Sequence, residues 1–209
     1  MKHVKKLLAL LLMVAMLLPL LPAIPVHASE IVDSGYCGVN LEYTLDDNGL
    51  LTISGRGQMN DWTYQKTSPF FGKTDIKALV IESGVTSVGD YAFYGCTSLT
   101  NVVLSKDVLS IGSSAFDGCK SLQKLTLPKS VTKIEYDAFE GCTNLSDVFI
   151  DDLTTWCSVQ FDSIYSIILP IPIHCTKVPR KSAEYPCSLN SGRSGSGYSV
   201  KAATRFTSL

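Results

Sequence analysis

The chain has 209 residues, 45% of them apolar and 18% charged, with seven cysteines and a formal net charge of −1, the composition of an ordinary globular protein rather than a disordered or collagenous one. Charge is unevenly distributed: the segment from Met1 to Ala28 carries three lysines and no acid, Ser29 to Asp162 carries nine basic and eighteen acidic residues (−9), and Ser163 to Leu209 carries six basic and one acidic (+5). The acidic centre excludes a generally basic nucleic-acid binder, and no nucleic-acid partner is expected.

Lys2, Lys5 and Lys6 precede the apolar run Leu7 to Leu18, followed by Pro19, Pro22 and Pro25 and by Val26-His27-Ala28. Twelve apolar residues reach about 18 Å as a helix, short of the ~30 Å hydrocarbon core, and the prolines stop any extension. This is the layout of a secretory signal peptide over 1–28, cleaved after Ala28. The sequence then holds no second apolar run of spanning length, so a secreted or cell-surface chain with no transmembrane segment is expected.

Residues 30–75 read as an N-terminal β cap. Leu41, Tyr43 and Leu45 alternate, Asp46-Asp47-Asn48-Gly49 marks a turn, and Leu51 and Ile53 alternate again, which predicts a β-hairpin. Trp62, Phe70 and Phe71 are large enough to plug the open end of whatever core follows.

From Ile81 to Phe149 a 23-residue unit occurs three times without a gap: IESGVTSVGDYAFYGCTSLTNVV, LSKDVLSIGSSAFDGCKSLQKLT, LPKSVTKIEYDAFEGCTNLSDVF. Self-similarity at this period means a solenoid, in which no single coil buries its own apolar face. Columns such as Phe93/Phe116/Phe139 and Cys96/Cys119/Cys142 then stack like on like. The segments ending at Ile81, Leu104, Leu127 and Ile150 predict four parallel strands with alternate residues pointing into the core. Val85 to Val88 and its equivalents predict a second short extended segment, and AFxGC a tight helical turn whose glycine needs φ > 0.

The AFxGCxxLxxVxLxxxVxxIG repeat over residues 76–150 resembles the BspA-like leucine-rich repeat family. The resemblance implies a mainly β, right-handed leucine-rich repeat solenoid on a secreted or surface protein, a binding or adhesion role, and no catalytic residue. Residues 151–162, with Asp151-Asp152 placed to cap a short helix carrying Leu153, Trp156 and Cys157, resemble a connector between repeat blocks.

At Ser163 the period is lost. Residues 163–209 are basic and rich in serine and glycine towards the end, which fits two readings: a flexible tail, disordered from Ser182 onward, or the product of a frame shift or truncation near Ser163.

Catalytic equipment is sparse. Once the signal peptide leaves, His174 is the single imidazole and is expected to be incidental in the tail, so nucleophile–histidine arrangements lack support. Asp46-Asp47 and Asp151-Asp152 are sequence neighbours, unlike glycosidase carboxyls that face each other across a cleft. The cysteine column is linear, whereas zinc needs four converging ligands. Free packed thiols are expected, with no metal and no cofactor.

These readings leave a non-enzymatic binding module with an extracellular protein or glycan as partner, or alternatively an accessory repeat domain of a truncated larger surface protein or a structural wall-associated spacer. The candidate partner-binding face is the outward side of the predicted strands: Val80, Val103, Thr126 and Phe149, with Ala78, Asn101, Lys124 and Asp147 alongside. A row of exposed apolar residues on a sheet tends to mark an interaction site.

Overall fold

The computed structural model describes residues 28–152, 156, 158–162, 173–177 and 207–208. The expected signal peptide lies outside the described residues except for Ala28, as does most of the expected tail.

Among the described residues fourteen strands follow one another: β1 (Ile31–Gly38), β2 (Leu41–Asp46), β3 (Leu50–Gly55), β4 (Gly57–Gln58), β5 (Ala78–Ile81), β6 (Val85–Val88), β7 (Asn101–Leu104), β8 (Ser110–Ile111), β9 (Lys124–Leu127), β10 (Lys133–Ile134), β11 (Asp147–Asp152), β12 (Gln160–Phe161), β13 (Ile173–Lys177) and β14 (Thr207–Ser208). They form a nine-stranded sheet, β1-β2-β3-β5-β7-β9-β11-β13-β14, and a five-stranded sheet, β12-β10-β8-β6-β4. The repeat dictates this arrangement. Leu79 pairs with Val102, Val102 with Leu125 and Leu125 with Val148, so each repeat unit advances the solenoid by one strand.

The third side of each coil is the AFxGC turn. Its N–H groups donate three residues back, Ala92 to Gly89 O, Tyr94 to Tyr91 O and Cys96 to Phe93 O, and forward onto the next coil, Tyr91 to Ser113 O, Phe93 to Ala115 O and Gly95 to Asp117 O. Gly95, Gly118 and Gly141 have φ of 71°, 74° and 68°, in line with the expected need of this turn. The column Tyr91, Ser114 and Asp137 also has positive φ (53°, 50°, 55°), a left-handed conformation that three chemically unrelated side chains share because the turn geometry imposes it.

Phe70, Phe93, Phe116 and Phe139 stack face to face through the core with centroids 5.1, 5.2 and 5.4 Å apart. Phe70 is therefore the first rung of the ladder rather than only a plug; Tyr43 and Trp62 close that end by meeting Phe70 edge-on. Phe71, expected to share the plugging role, instead lies outside the core and stacks on Tyr94.

The parallel run is longer than the four strands expected. The predicted hairpin exists as β2 and β3, but β1 adds a third antiparallel strand, and β3 pairs in parallel with β5, Leu51 opposite Leu79 and Ile53 opposite Ile81. The cap is thus continuous with the solenoid. The step from Leu51 to Leu79, like that from Gly57 to Val85, is five residues longer than the repeat. Phe70 and Phe93 are back in the repeat's own register, so the five extra residues fall between Gln58 and Phe70 and hide this coil from a gapless alignment.

At the other end Asp151 and Asp152 are the last residues of β11, and Asp152 pairs with Lys177 of β13; of the short helix expected after them, Leu153 and Cys157 lie outside the described residues and Trp156 is helical. Beyond Ser163 the sequence has no visible period, yet β13 adds to β11 in register, Val148 opposite Ile173 and Phe149 opposite His174. The step across this pair is two residues longer than the repeat. Trp156, Val159 and Phe161 are buried over the last coil, with Trp156 edge-on to Phe161.

Candidate functional site

The strand alternation that buries Leu79, Val102, Leu125 and Val148 turns their neighbours outward on the nine-stranded sheet. One row runs across the strands through Thr44, Thr52, Val80, Val103, Thr126, Phe149 and His174, each opposite the next. A second runs through Leu50, Ala78, Asn101, Lys124 and Asp147. All eight residues picked from the sequence therefore share one face. Their exposure differs: Val103 is 47% exposed, Asn101, Lys124 and Thr126 are also open, and Ala78, Val80, Asp147 and Phe149 are half-buried.

Phe149 is not a free aromatic. The His174 ring stacks on it at 4.8 Å and 21°, and His174 Nε2 donates to Asp147 Oδ1 at 2.8 Å. The bond from His174 and one from the Ser146 hydroxyl, 2.8 Å to Oδ2, hold the Asp147 carboxyl below the usual carboxylate range. His174, expected to be incidental, is thus part of the face. The clue in the sequence is short: Ile173, His174 and Cys175 alternate apolar and polar, but at an offset two residues longer than the repeat.

The cysteine column is placed as its spacing predicts. Cys96, Cys119 and Cys142 are free, and each thiol donates to a carbonyl of the preceding coil: Cys96 to Phe70 O at 3.1 Å, Cys119 to Phe93 O at 3.3 Å and Cys142 to Phe116 O at 3.2 Å. Burial pushes the Cys96 and Cys142 thiols up to about 12 and Cys119 higher still. Such thiols are inert as nucleophiles and act as small packed groups with a weak donor. Among the described residues no cluster of three or more His, Cys, Asp or Glu side chains is placed to hold a metal. A depression of about 580 Å3 beside the turns that join the two sheets is lined by Arg56, Ser83, Thr86, Lys106, Asp107 and Leu109.

A second cluster, on the third side of the coils, has no counterpart in the expectations from sequence. Phe71 stacks on Tyr94 at 5.0 Å, Tyr64 meets Phe71 and Tyr94 edge-on at 5.6 and 5.8 Å, and Tyr91 lies 5.8 Å from Tyr94. Tyr64 is 62% exposed. Phe71, Tyr94, Asp117 and Glu140 occupy one column, one residue per coil.

The BspA type leucine rich repeat profile matches residues 66–190 in six copies, which takes in the Phe70 rung and β13 as well as the repeats read directly. Among solved structures, a leucine-rich repeat protein from Eubacterium ventriosum is 24% identical and covers 72% of this chain and 45% of its own, with a TM-score of 0.50. A leucine-rich repeat protein from Bacteroides capillosus is 22% identical over 57% of this chain and 99% of its own (TM-score 0.39). A leucine rich cell surface protein from Faecalibacterium prausnitzii is 21% identical over 74% of this chain and 46% of its own (TM-score 0.41). The chain thus spans less than half the length of the first of these, and that likeness concerns the fold alone. No curated protein matches the sequence.

Proposed function

Because this chain belongs to the BspA-type leucine-rich repeat family, we propose that it is a non-enzymatic binding module, secreted or displayed at the cell surface, that contacts an extracellular protein or glycan through the open face of its nine-stranded sheet. The single observation that carries this reading is the outward row on that sheet, in which Val80, Val103 and Thr126 stand side by side with Val103 47% exposed. The N-terminal lysines and apolar run supply the route to the outside of the cell.

Six strands from β3 to β13 span about 24 Å at ~4.8 Å each, less than a standard interface needs from one small surface. Weak single-site contact strengthened by display in many copies follows. Towards β13 the His174 ring covers Phe149, and Val103 is the exposed centre of the row.

The test uses beads carrying many copies of the protein, probed against immobilised extracellular matrix proteins and glycans. Val103→Ser combined with Val80→Ser is expected to abolish retention on any surface that holds the wild type, with the thermal midpoint nearly unchanged. Full retention by the folded double variant would move the site off this face.

A further inference from the structure

In the aromatic cluster on the third side of the coils Tyr91 packs against the core, whereas Tyr64, Phe71 and Tyr94 lie outside the core that Phe70, Phe93, Phe116 and Phe139 fill. Tyr64 comes from the stretch between Gln58 and Phe70, where the first coil holds five residues more than the others, and that stretch lays a 62% exposed phenol against Phe71 and Tyr94. Four rings, Tyr64, Phe71, Tyr91 and Tyr94, are thereby linked in one surface cluster.

The column then changes chemistry. One coil beyond Tyr94 stands Asp117, and one coil beyond that Glu140. Neither carboxylate has an ion pair or a side-chain hydrogen bond among the described residues, and the charged groups that act on Asp117 are Glu140 and Asp137, both acidic. Aromatic faces and uncompensated carboxylates therefore adjoin at a spacing of one coil, about 5 Å.

We infer that Tyr64, Phe71, Tyr91 and Tyr94, with Asp117 and Glu140, form a second binding surface that takes an arginine-bearing extended segment of a partner protein. A guanidinium is flat, stacks on an aromatic face and presents a fork of donors that matches a carboxylate. Its own width is of the order of one coil spacing, so a group stacked on Tyr94 reaches Asp117 with its edge. Glu140, a further coil along, offers a place for a second cation, which favours a segment over an isolated arginine. A neutral sugar would use the rings and leave the two carboxylates without counter-charge. Lysine would use the charge, but its compact ammonium does not stack as a plane. This surface lies on a different side of the solenoid from the sheet face, so loss of binding at one leaves the other untouched.

The experiment titrates the full protein, near neutral pH and at low and physiological salt, with a short synthetic peptide of alternating glycine and arginine. Its lysine and glutamine counterparts and a neutral oligosaccharide serve as controls, and binding is read by calorimetry and by NMR shifts of the tyrosine rings. The arginine peptide is expected to bind best, the lysine peptide more weakly, and the glutamine peptide and oligosaccharide not at all. Tyr64→Ser and Asp117→Asn should each weaken binding about two- to fivefold. Tyr64 is exposed and so removable without loss of fold, and Val103→Ser on the sheet face should leave binding unchanged. Equal binding of arginine and lysine peptides with no effect of Tyr64→Ser would reduce the surface to diffuse charge and overturn the inference. So would absence of binding, or binding of the oligosaccharide instead.

Discussion

Replacing Phe116 by alanine tests whether the coils form one cooperative body. Phe116 is 0% exposed and sits between Phe93 and Phe139, with ring centroids 5.2 and 5.4 Å away and interplanar angles of 17° and 3°. Truncating a buried phenylalanine costs about 3 to 5 kcal/mol, from lost transfer energy and the cavity left behind. Two stacked neighbours, each worth about 0.5 to 1.5 kcal/mol beyond area, place this site in the upper half of that range, about 4 to 5 kcal/mol. Phe139 has only Phe116 stacked on it and is 6% exposed, so Phe139→Ala should cost less, about 3 kcal/mol. Neighbouring coils cover one another's cores, so the loss should appear as one shifted transition for the whole solenoid. A reversible urea titration followed by far-UV circular dichroism and, in a Trp156→Phe background, by Trp62 fluorescence at the capped end reads both points. Coincident curves displaced to lower denaturant are expected. A loss below about 1 kcal/mol at Phe116, or a Trp62 transition that stays at its wild-type midpoint while the dichroism shifts, would refute the stacked-core reasoning.

Gly112 has φ outside the positive region, but an added Cβ would meet Asp90 N at 2.6 Å, Asp90 Oδ1, and Gly89 C at 2.8 Å on the preceding coil, so Gly112→Ala should destabilise by at least about 2 kcal/mol in the same titration. The Asp117 carboxyl is pushed up to about 6, first by burial and then by Glu140 and Asp137, so its proton is held more tightly in the folded than in the unfolded chain. The contribution of Asp117 to stability therefore falls as pH rises from about 4 to about 6, and Asp117→Asn should gain about 1 kcal/mol over wild type at pH 7.5 after allowance for solvent screening. The gain should vanish near pH 4; an equal gain at both pH values would show that the carboxyl is not shifted.

The solenoid was legible because its cause is local and repeated. The apolar columns Val85/Val108/Val131, Val88/Ile111/Ile134, Ala92/Ala115/Ala138, Phe93/Phe116/Phe139 and Leu99/Leu122/Leu145 are all core columns in the structure. What escaped lies where the period changes. β3 opens a coil five residues longer than the repeat and β13 follows one that is two residues longer, so neither falls into a gapless register, although both join the same sheet. β1 gave no signal because its register shifts between Ile31 and Asp33 and between Tyr36 and Gly38 destroy the alternation a strand is read by. The positive φ at Tyr91, Ser114 and Asp137 left no mark in residue type, since hydrogen bonding of the turn enforces it whatever the side chain. The common face of the eight outward residues follows from strand alternation and the repeat, but the pairing of His174 with Asp147 and Phe149 needs β13. The aromatic cluster depends on Tyr64, whose loop has no fixed spacing to Phe71 and Tyr94 that a sequence could reveal.

The solenoid stores chain length at a high ratio. A coil of 23 residues holds about 75 Å of contour yet adds only about 5 Å to the long axis. Neighbouring coils are joined by short ladders lying along that axis, such as Phe93 to Ala115 and Gly95 to Asp117 on the turn side. A pull from the ends loads these ladders one coil at a time, like a zip, and not all together in shear. Each coil that yields lengthens the molecule roughly fifteenfold over its folded rise. Under tension the protein would behave as a stepwise extensible tether, giving way in increments of one coil while the coils not yet reached keep their packing.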